Sequence, residues 1–410
     1  MIFLYSDAVN QPEIHMVQNK VNTKRIPSRI LPVIVFAQFA GTSLWFAGNA
    51  VIPDLIELLQ LTDAAVGHVT SAVQFGFIGG TLLFAYLSLA DRFSPSLVFM
   101  VCAVAGSGAN LLAIYSTGYT SLLLTRLFTG FFLAGIYPVG MKIASDWHRE
   151  GLGKALGYLV GALVLGTALP HLIRDLSSDL PWKFILISTS AISTFGGVML
   201  YVLVPDGPYS SKKGVFKPGT ISSLFKNRNF RASAFGYFGH MWELYTFWAF
   251  VPLMLITYQS DYGDLTWSVS MLSFIIIGIG SLGCAIGGHF AIRRSSQFVT
   301  KISLYVSGLF CLTVPLLFHL SEPLFIILLL IWGIFVVSDS PQFSTMVARS
   351  SDKDYVATGL TIVNSIGFAT TIISLQLLNL LWVQFQSPVV FLALLPGPVL
   401  GLVAIYRYRS

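Results

Sequence analysis

Charge is what this chain has least of. Only 10% of its 410 residues are Asp, Glu, Lys or Arg, against roughly 25% in ordinary soluble domains. A soluble fold covers its surface with such side chains, so a deficit this large implies a surface that meets lipid over much of its area. Cysteine is sparse too. Cys102, Cys284 and Cys311 fall inside apolar runs without CxxC spacing, which argues against a zinc site or a disulfide framework. The patterns GxxxxGK[ST], HExxH and GxSxG are also absent, and no soluble stretch is long enough for a nucleotide domain. Chemistry driven by bound ATP is thereby excluded, and no cofactor or metal is expected.

What is abundant is apolar: 55% of the residues are hydrophobic and 36 are glycine. A membrane-spanning helix needs about 20 mostly apolar residues, at 1.5 Å rise across a core ~30 Å thick. Twelve such spans are predicted, at about 30–52, 65–90, 96–115, 120–142, 154–176, 183–204, 231–257, 266–290, 298–318, 323–345, 356–380 and 387–406. Turn chemistry or charge separates them, as at Asp91-Arg92, Ser116-Thr117-Gly118 and Arg293-Arg294. Residues 1–28 are polar and basic and lack a cleavage-type segment, so they read as a cytoplasmic tail, as do 407–410. Glycine is frequent in spanning helices because small residues let them approach closely.

The distribution of Lys and Arg sets the expected orientation. With the N-terminus inside, every one of the 24 basic residues lies in an inner tail or loop except Arg126, within a span, and Arg174 and Lys183, outside. Asp54, Glu57, Asp63, Asp261, Asp264 and Glu322 lie outside. The net charge of +6 is thus a topological signal, and a nucleic-acid partner is not expected. The membrane expected is the cell's inner (plasma) membrane, with both termini cytoplasmic and the chain a monomer.

The longest inner loop, 205–230, divides the chain into bundles at 29–204 and 231–406. Internal repetition supports that division. Gly130 and Pro138 match Gly333 and Pro341 at an offset of 203; Ala155 and Gly157 match Ala357 and Gly359 at 202; Gly80, Thr81 and Ala85 face Gly280, Ser281 and Ala285 at 200. Six spans per copy make the copies parallel, related by an axis along the membrane normal. Such an arrangement places a solute site between the halves at mid-depth. The expected fold class is therefore an all-α polytopic membrane protein, with twelve transmembrane helices as two six-helix pseudo-repeats.

Over residues 30 to 406 the chain resembles the major facilitator superfamily. The loop between spans 2 and 3, Leu87-Ser-Leu-Ala-Asp91-Arg92-Phe93-Ser94-Pro95, is similar to the G-x-x-x-D-R-x-G-R-R gating motif, without its glycines. The second-half counterpart, Gly288-His-Phe-Ala-Ile-Arg293-Arg294, has Ile292 in the acidic position. Arg126-Leu-Phe-Thr-Gly130 resembles the R-x-x-x-G motif of proton-coupled members. Residues 236–245 and 337–343 look like a bacterial branch grouped with nitrate- and cyanate-type permeases. The resemblance implies that Asp91, with Arg92 and Arg293 at the gates, meets the start of span 11 and latches the inner side, as the helix dipole would favour.

Ionisable residues inside a bilayer are costly and mark function by default. Arg126 and Glu243 fall at similar depth on spans 4 and 7, so they are expected to share a cavity, one attracting an anionic group and the other taking a proton. His240 is one helical step from Glu243 and titrates near neutrality. Asp339 lies nearer the inner face. On span 1, Gln38, Thr42, Trp45 and Asn49 are spaced +4, +3, +4, one face of a helix. Tyr137 shares the face of Arg126, Tyr245 enriches span 7 in aromatics, and Asn364 is a further pore residue. The function expected is secondary, proton-coupled transport of a small organic or inorganic anion by alternating access. Export of an amphipathic drug- or siderophore-like compound is the alternative, and a non-transporting membrane sensor or membrane-embedded transferase the reading from another class.

Overall fold

The computed structural model describes residues 26–62, 64–148, 152–209, 220–352 and 355–408. Most of the expected N-terminal tail, residues 210–219 of the central loop and the last two residues lie outside the described residues, as does Asp63. All regular structure described is helical.

The first half comprises α1 (Ile30–Thr42), α2 (Ala47–Ala50), α3 (Ile52–Leu59), α4 (Ala65–Leu87), α5 (Leu89–Arg92), α6 (Pro95–Leu112), α7 (Tyr119–Leu133), α8 (Tyr137–Trp147), α9 (Leu152–Leu176) and α10 (Lys183–Leu203). The second comprises α11 (Thr220–Lys226), α12 (Arg228–Asp261), α13 (Val269–Gly278), α14 (Gly280–Arg293), α15 (Ser296–Leu317), α16 (Glu322–Ser338), α17 (Ser340–Ser350), α18 (Val356–Phe385) and α19 (Pro396–Ile405). Among the described residues, ten helices or collinear helix pairs are long and apolar enough to cross a membrane. Span 1, split into short pieces, and α12, diluted by Arg228, Arg231, His240 and Glu243, complete the twelve.

Several expected spans are not continuous helices, and each break has a cause. Span 1 stops at Thr42 and resumes at Ala47. Span 4 breaks over 134–136 and restarts with Pro138 in its first turn, where a missing N–H costs nothing. Span 10 breaks at Asp339 and restarts with Pro341 in the same place. The two prolines, 203 residues apart, sit in the first turn of the restarted helix in both halves. Span 8 breaks at Ile279, and span 12 begins as a 3-10 turn over Pro388–Leu394. Part of the loop expected at 205–230 is helical, since α11 lies in it and α12 starts at Arg228.

Close packing uses the repeat glycines. A Cβ at Gly130 of α7 would stand 2.0 Å from the Val73 carbonyl oxygen of α4. One at Gly333 of α16 would stand 2.2 Å from the Ile276 carbonyl oxygen of α13. Val73 and Ile276 are also 203 apart, so the same backbone-to-backbone contact is built twice. The halves meet along two seams, α4 against α18 and α9 against α13 and α14.

Candidate functional site

At the centre of the molecule the halves close on an aromatic seam. Trp45, in the break of span 1, stacks on Phe368 of α18 at 5.5 Å and lies 5.5 Å from Tyr245 of α12 and 4.9 Å from Phe77 of α4. Phe77 and Phe368 are 4.5 Å apart, and Tyr245 meets Trp248 at 5.1 Å. All are buried, yet the indole N–H groups of Trp45 and Trp248 have no hydrogen-bond partner. Rings that pack this tightly while leaving donors unspent suit a site that a polar solute fills from one side. Of these rings, Phe77 and Phe368 were not among the residues expected from sequence. Two phenylalanines in an apolar chain carry no signal until the neighbours are known.

Toward α3 and the start of α13, the end called outer here, lies a cavity of about 810 Å³ lined by Asn49, His171, Arg174, Trp248, Asn379 and Trp382, among others. Asn49 donates to Thr70 Oγ1 at 2.6 Å. His171 is buried with Nε2 unpartnered, and Arg174 contacts Asp54 at 2.5 Å. At the outer rim Gln376 of α18 donates to Ser71 Oγ (2.7 Å) and Asn379 to the Ala64 carbonyl (3.1 Å), tying the halves together. His171 and Gln74, an amide of α4 buried without a partner, were both missed by sequence reasoning. A lone polar side chain in an apolar span is the signal that would have found them.

On the opposite side of the seam, called inner here, lies a cluster of buried acid–base side chains. His240 Nδ1 stands 2.9 Å from Asp339 Oδ1, both side chains buried, and His240 Nε2 is unpartnered. Asp339 occupies the break of span 10, where α16 ends and α17 begins. Tyr137 of α8 lies within electrostatic reach of Tyr237 and Tyr245 of α12. Groups from both halves thus converge here. Asn364 is buried on α18, one helical turn inward of Phe368 and so on the same face.

Arg126 and Glu243 do not share a cavity, which corrects the expectation. Each is buried inside its own half. Arg126 donates to Asn110 Oδ1 (2.6 Å) and to the carbonyls of Leu44 (2.8 Å) and Trp45 (3.2 Å), groups released at the break of span 1. Glu243 accepts from Trp332 Nε1 at 2.6 Å and from Cys311 Sγ at 3.3 Å. Similar depth on two spans says nothing about the direction in which a side chain leaves its helix.

The single stripe expected on span 1 is also divided. Gln38 and Thr42 lie on α1, Gln38 against Gly140 of α8 with both polar atoms unpartnered, and Thr42 with its hydroxyl beside Gly166 of α9. Trp45 lies in the break, and Asn49 on α2 points into the outer cavity. Among the described residues Asp91 has no ion pair with the start of span 11, where residues 353–354 lie outside those described. It pairs with Lys142 of α8 at 3.2 Å, and Lys142 also pairs with Asp146 at 3.3 Å, all within the first half. A lysine one helix away offers a full charge, which outcompetes a helix end worth about half a charge. Arg92 and Arg293 lie at inner helix ends and are exposed. Among the described residues no group of three His, Cys, Asp or Glu side chains is placed to hold a metal ion.

Comparison with known proteins agrees with this architecture. A sequence profile of the Major Facilitator Superfamily matches residues 34–375. The chain belongs to the Major Facilitator Superfamily. Membership makes it a multi-pass membrane protein of a transporter class, not an enzyme. It is 29% identical over 154 residues to solute carrier family 22 member 7 of Sus scrofa, which covers 36% of this chain and 26% of that protein. It is 25% identical over 168 residues to the D-galactonate transporter of Escherichia coli, covering 39% and 37%. The matched stretches are therefore well under half the length of these relatives. In three dimensions it superposes on a bacterial homologue of the human lysosomal transporter Spinster, in an inward-facing, unoccupied conformation, with a TM-score of 0.67, 14% identity and coverage of 94% and 95%.

Proposed function

We propose that this superfamily member is a proton-coupled secondary transporter of a small organic anion, working by alternating access in the cell's inner (plasma) membrane with both termini cytoplasmic. The observation that carries the reading is a division of charge between the halves. The first half holds Arg126, fully buried and without a carboxylate at ion-pair distance among the described residues. The second half holds the buried acid–base side chains His240, Asp339 and Glu243. Between them lies the aromatic seam. An uncompensated guanidinium raises the local preference for anions, and a buried His–Asp pair at a helix break has the composition of the proton relays that transporters carry inside the membrane. The E. coli relative is named for D-galactonate, itself a carboxylate, which supports the same substrate class.

The test is flux in proteoliposomes. Sugar-acid anions such as D-galactonate are offered with and without an imposed pH gradient. Accumulation driven by the gradient is expected, with His240→Gln and Asp339→Asn retaining solute exchange but losing gradient-driven accumulation. Accumulation that ignored pH in the wild type would end the coupling claim. Flux of amphipathic compounds in place of anions would favour the exporter reading, which the aromatic seam supports. No flux of either kind would favour a sensor.

A further inference from the structure

A second cavity, of about 530 Å³, opens on the outside of the second half between α12, α18 and α19, remote from the seam between the halves. Its mouth is formed by Arg228, Arg231 and Arg407, all exposed at the face where the basic residues cluster. Its body is apolar: Phe235, Phe238, Trp242, Leu400 and Val403 line it, with Gly239 and Gly397 at its floor. The glycines explain the depth, because a Cβ at Gly239 would stand 2.4 Å from the Gly397 carbonyl oxygen, so the two helix backbones touch and leave a furrow above them.

Polar groups along the furrow are already satisfied. Trp242 Nε1 donates to the Ala393 carbonyl at 2.8 Å, and Thr370 bonds back to its own helix at 3.0 Å. The arginines at the mouth differ. Arg228 Nε donates to the Arg407 carbonyl and Arg231 Nη1 to the carbonyls that end α11, yet among the described residues no carboxylate pairs with any of the three. Most of their donors remain free, and three positive charges stand together without compensation.

We infer that this groove is a binding site for one anionic phospholipid, with its phosphate at the three arginines and an acyl chain lying along α12 to Trp242. Length agrees. From Arg228 to Trp242 is 14 helical residues, or about 21 Å, enough to run from the headgroup level to the middle of a core ~30 Å thick. Composition agrees as well, since basic pockets between helices on the inner side are suited to anionic headgroups. A free phosphate would leave the apolar furrow empty, whereas a zwitterionic lipid would leave the arginines unneutralised. Bound there, the lipid would hold α12, which carries His240 and Glu243, against α19.

The experiment uses the full-length protein, delipidated in detergent and titrated with phosphatidylglycerol or phosphatidylcholine of identical acyl chains, read by native mass spectrometry. The first phosphatidylglycerol should bind about tenfold more tightly than phosphatidylcholine. Arg228→Gln with Arg231→Gln should erase that preference, while Arg29→Gln with Lys154→Gln, on the same face of the other half, should not. Val403→Trp should weaken both lipids by filling the furrow, which gives a second variant if the arginine pair will not fold. Equal binding of the two lipids to the wild type would overturn the assignment. So would a preference that survives loss of the arginines, or displacement of the lipid by inorganic phosphate.

Discussion

The buried guanidinium of Arg126 does two separable things, and substitutions can tell them apart. Structurally it supplies three donors to acceptors that nothing else reaches: Asn110 Oδ1 and the carbonyls freed at the break of span 1. Side-chain hydrogen bonds in membrane bundles are worth about 0.6 kcal/mol on average and up to about 1.7. Arg126→Met should therefore cost about 2–5 kcal/mol of stability. On the proposed function it also places a fixed positive charge about one helix diameter from the solute path. At one helix diameter, ~10 Å, and an effective dielectric near 20, such a charge favours a bound anion by about 1.7 kcal/mol, or roughly 20-fold in affinity. Arg126→Lys keeps the charge but not the fork, so it should lose stability while keeping anion preference. Arg126→Met with Asn110→Leu removes donor and acceptor together, so the double variant should be less unstable than the sum of the singles by about 1–2 kcal/mol, with anion preference still lost. Reversible unfolding in SDS measures the first quantity and competition binding the second. Strict additivity in the cycle, or unchanged anion preference in Arg126→Met, would refute the reasoning.

Other expectations follow from the same geometry. Gly130→Ala and Gly333→Ala should each force α7 from α4 and α16 from α13, costing about 1–3 kcal/mol as overpacking, with similar losses at the two sites; folded yield on size-exclusion chromatography measures this. Glu243→Gln can still accept from Trp332 and should stay within about 1 kcal/mol of wild type, whereas Glu243→Leu strands the indole N–H at a cost of about 1–3 kcal/mol, measured by SDS unfolding. The Lys142–Asp91 pair is partly exposed, at 23% and 29%, so Asp91→Asn and Lys142→Met should each cost under about 1 kcal/mol; cysteine labelling of the inner helix ends should change alike in both. Trp45→Ala removes the ring that joins four elements at the seam and should admit water-soluble labels from the outer cavity to a cysteine placed at Tyr137.

Much of this architecture was legible in the chain. Span number and the parallel repeat follow from apolar run length and from glycines and prolines at a steady offset, because each glycine answers a local demand for backbone contact. Gly130 and Gly333 are the clearest example: sequence paired them, and the structure gives both the same carbonyl partner in their own halves. Helix breaks were hidden, since an apolar run looks alike whether the helix continues or stops. The proline that restarts α8 was visible, but not that α7 would stop five residues before it. The fate of Arg126 was hidden for a different reason. Two of its partners are backbone carbonyls, which every residue has, so no sequence pattern marks them. Glu243 finds its partners 68 and 89 residues away, and both, a cysteine and a tryptophan, read as ordinary apolar residues.

The two buried charges also explain a difference between the halves that the repeat alone does not. Ser43, Asn110 and Thr129 of the first half match Glu243, Cys311 and Trp332 of the second at offsets of 200, 201 and 203, so Arg126 and Glu243 act at equivalent levels of their bundles. A backbone carbonyl inside a membrane must find a donor. An arginine brings donors, so where Arg126 reaches span 1 the helix can open at residues 43–46 and leave the Leu44 and Trp45 carbonyls bonded to it. A carboxylate brings only acceptors and cannot satisfy a freed carbonyl, so α12 runs unbroken past Glu243 and spends its neighbours' donors on the side chain instead. The opened helix and the buried guanidinium therefore fall in one half, and the unbroken helix with the buried carboxyl group of Glu243 in the other. Transferring the charge should transfer the break: with Glu243→Leu and Trp332→Arg, donors would reach the backbone of α12 near 243, and amide hydrogen exchange there should rise above the wild-type level while that at residues 43–46 stays as it is. Unchanged protection at 243 would show that the opening of span 1 has another cause.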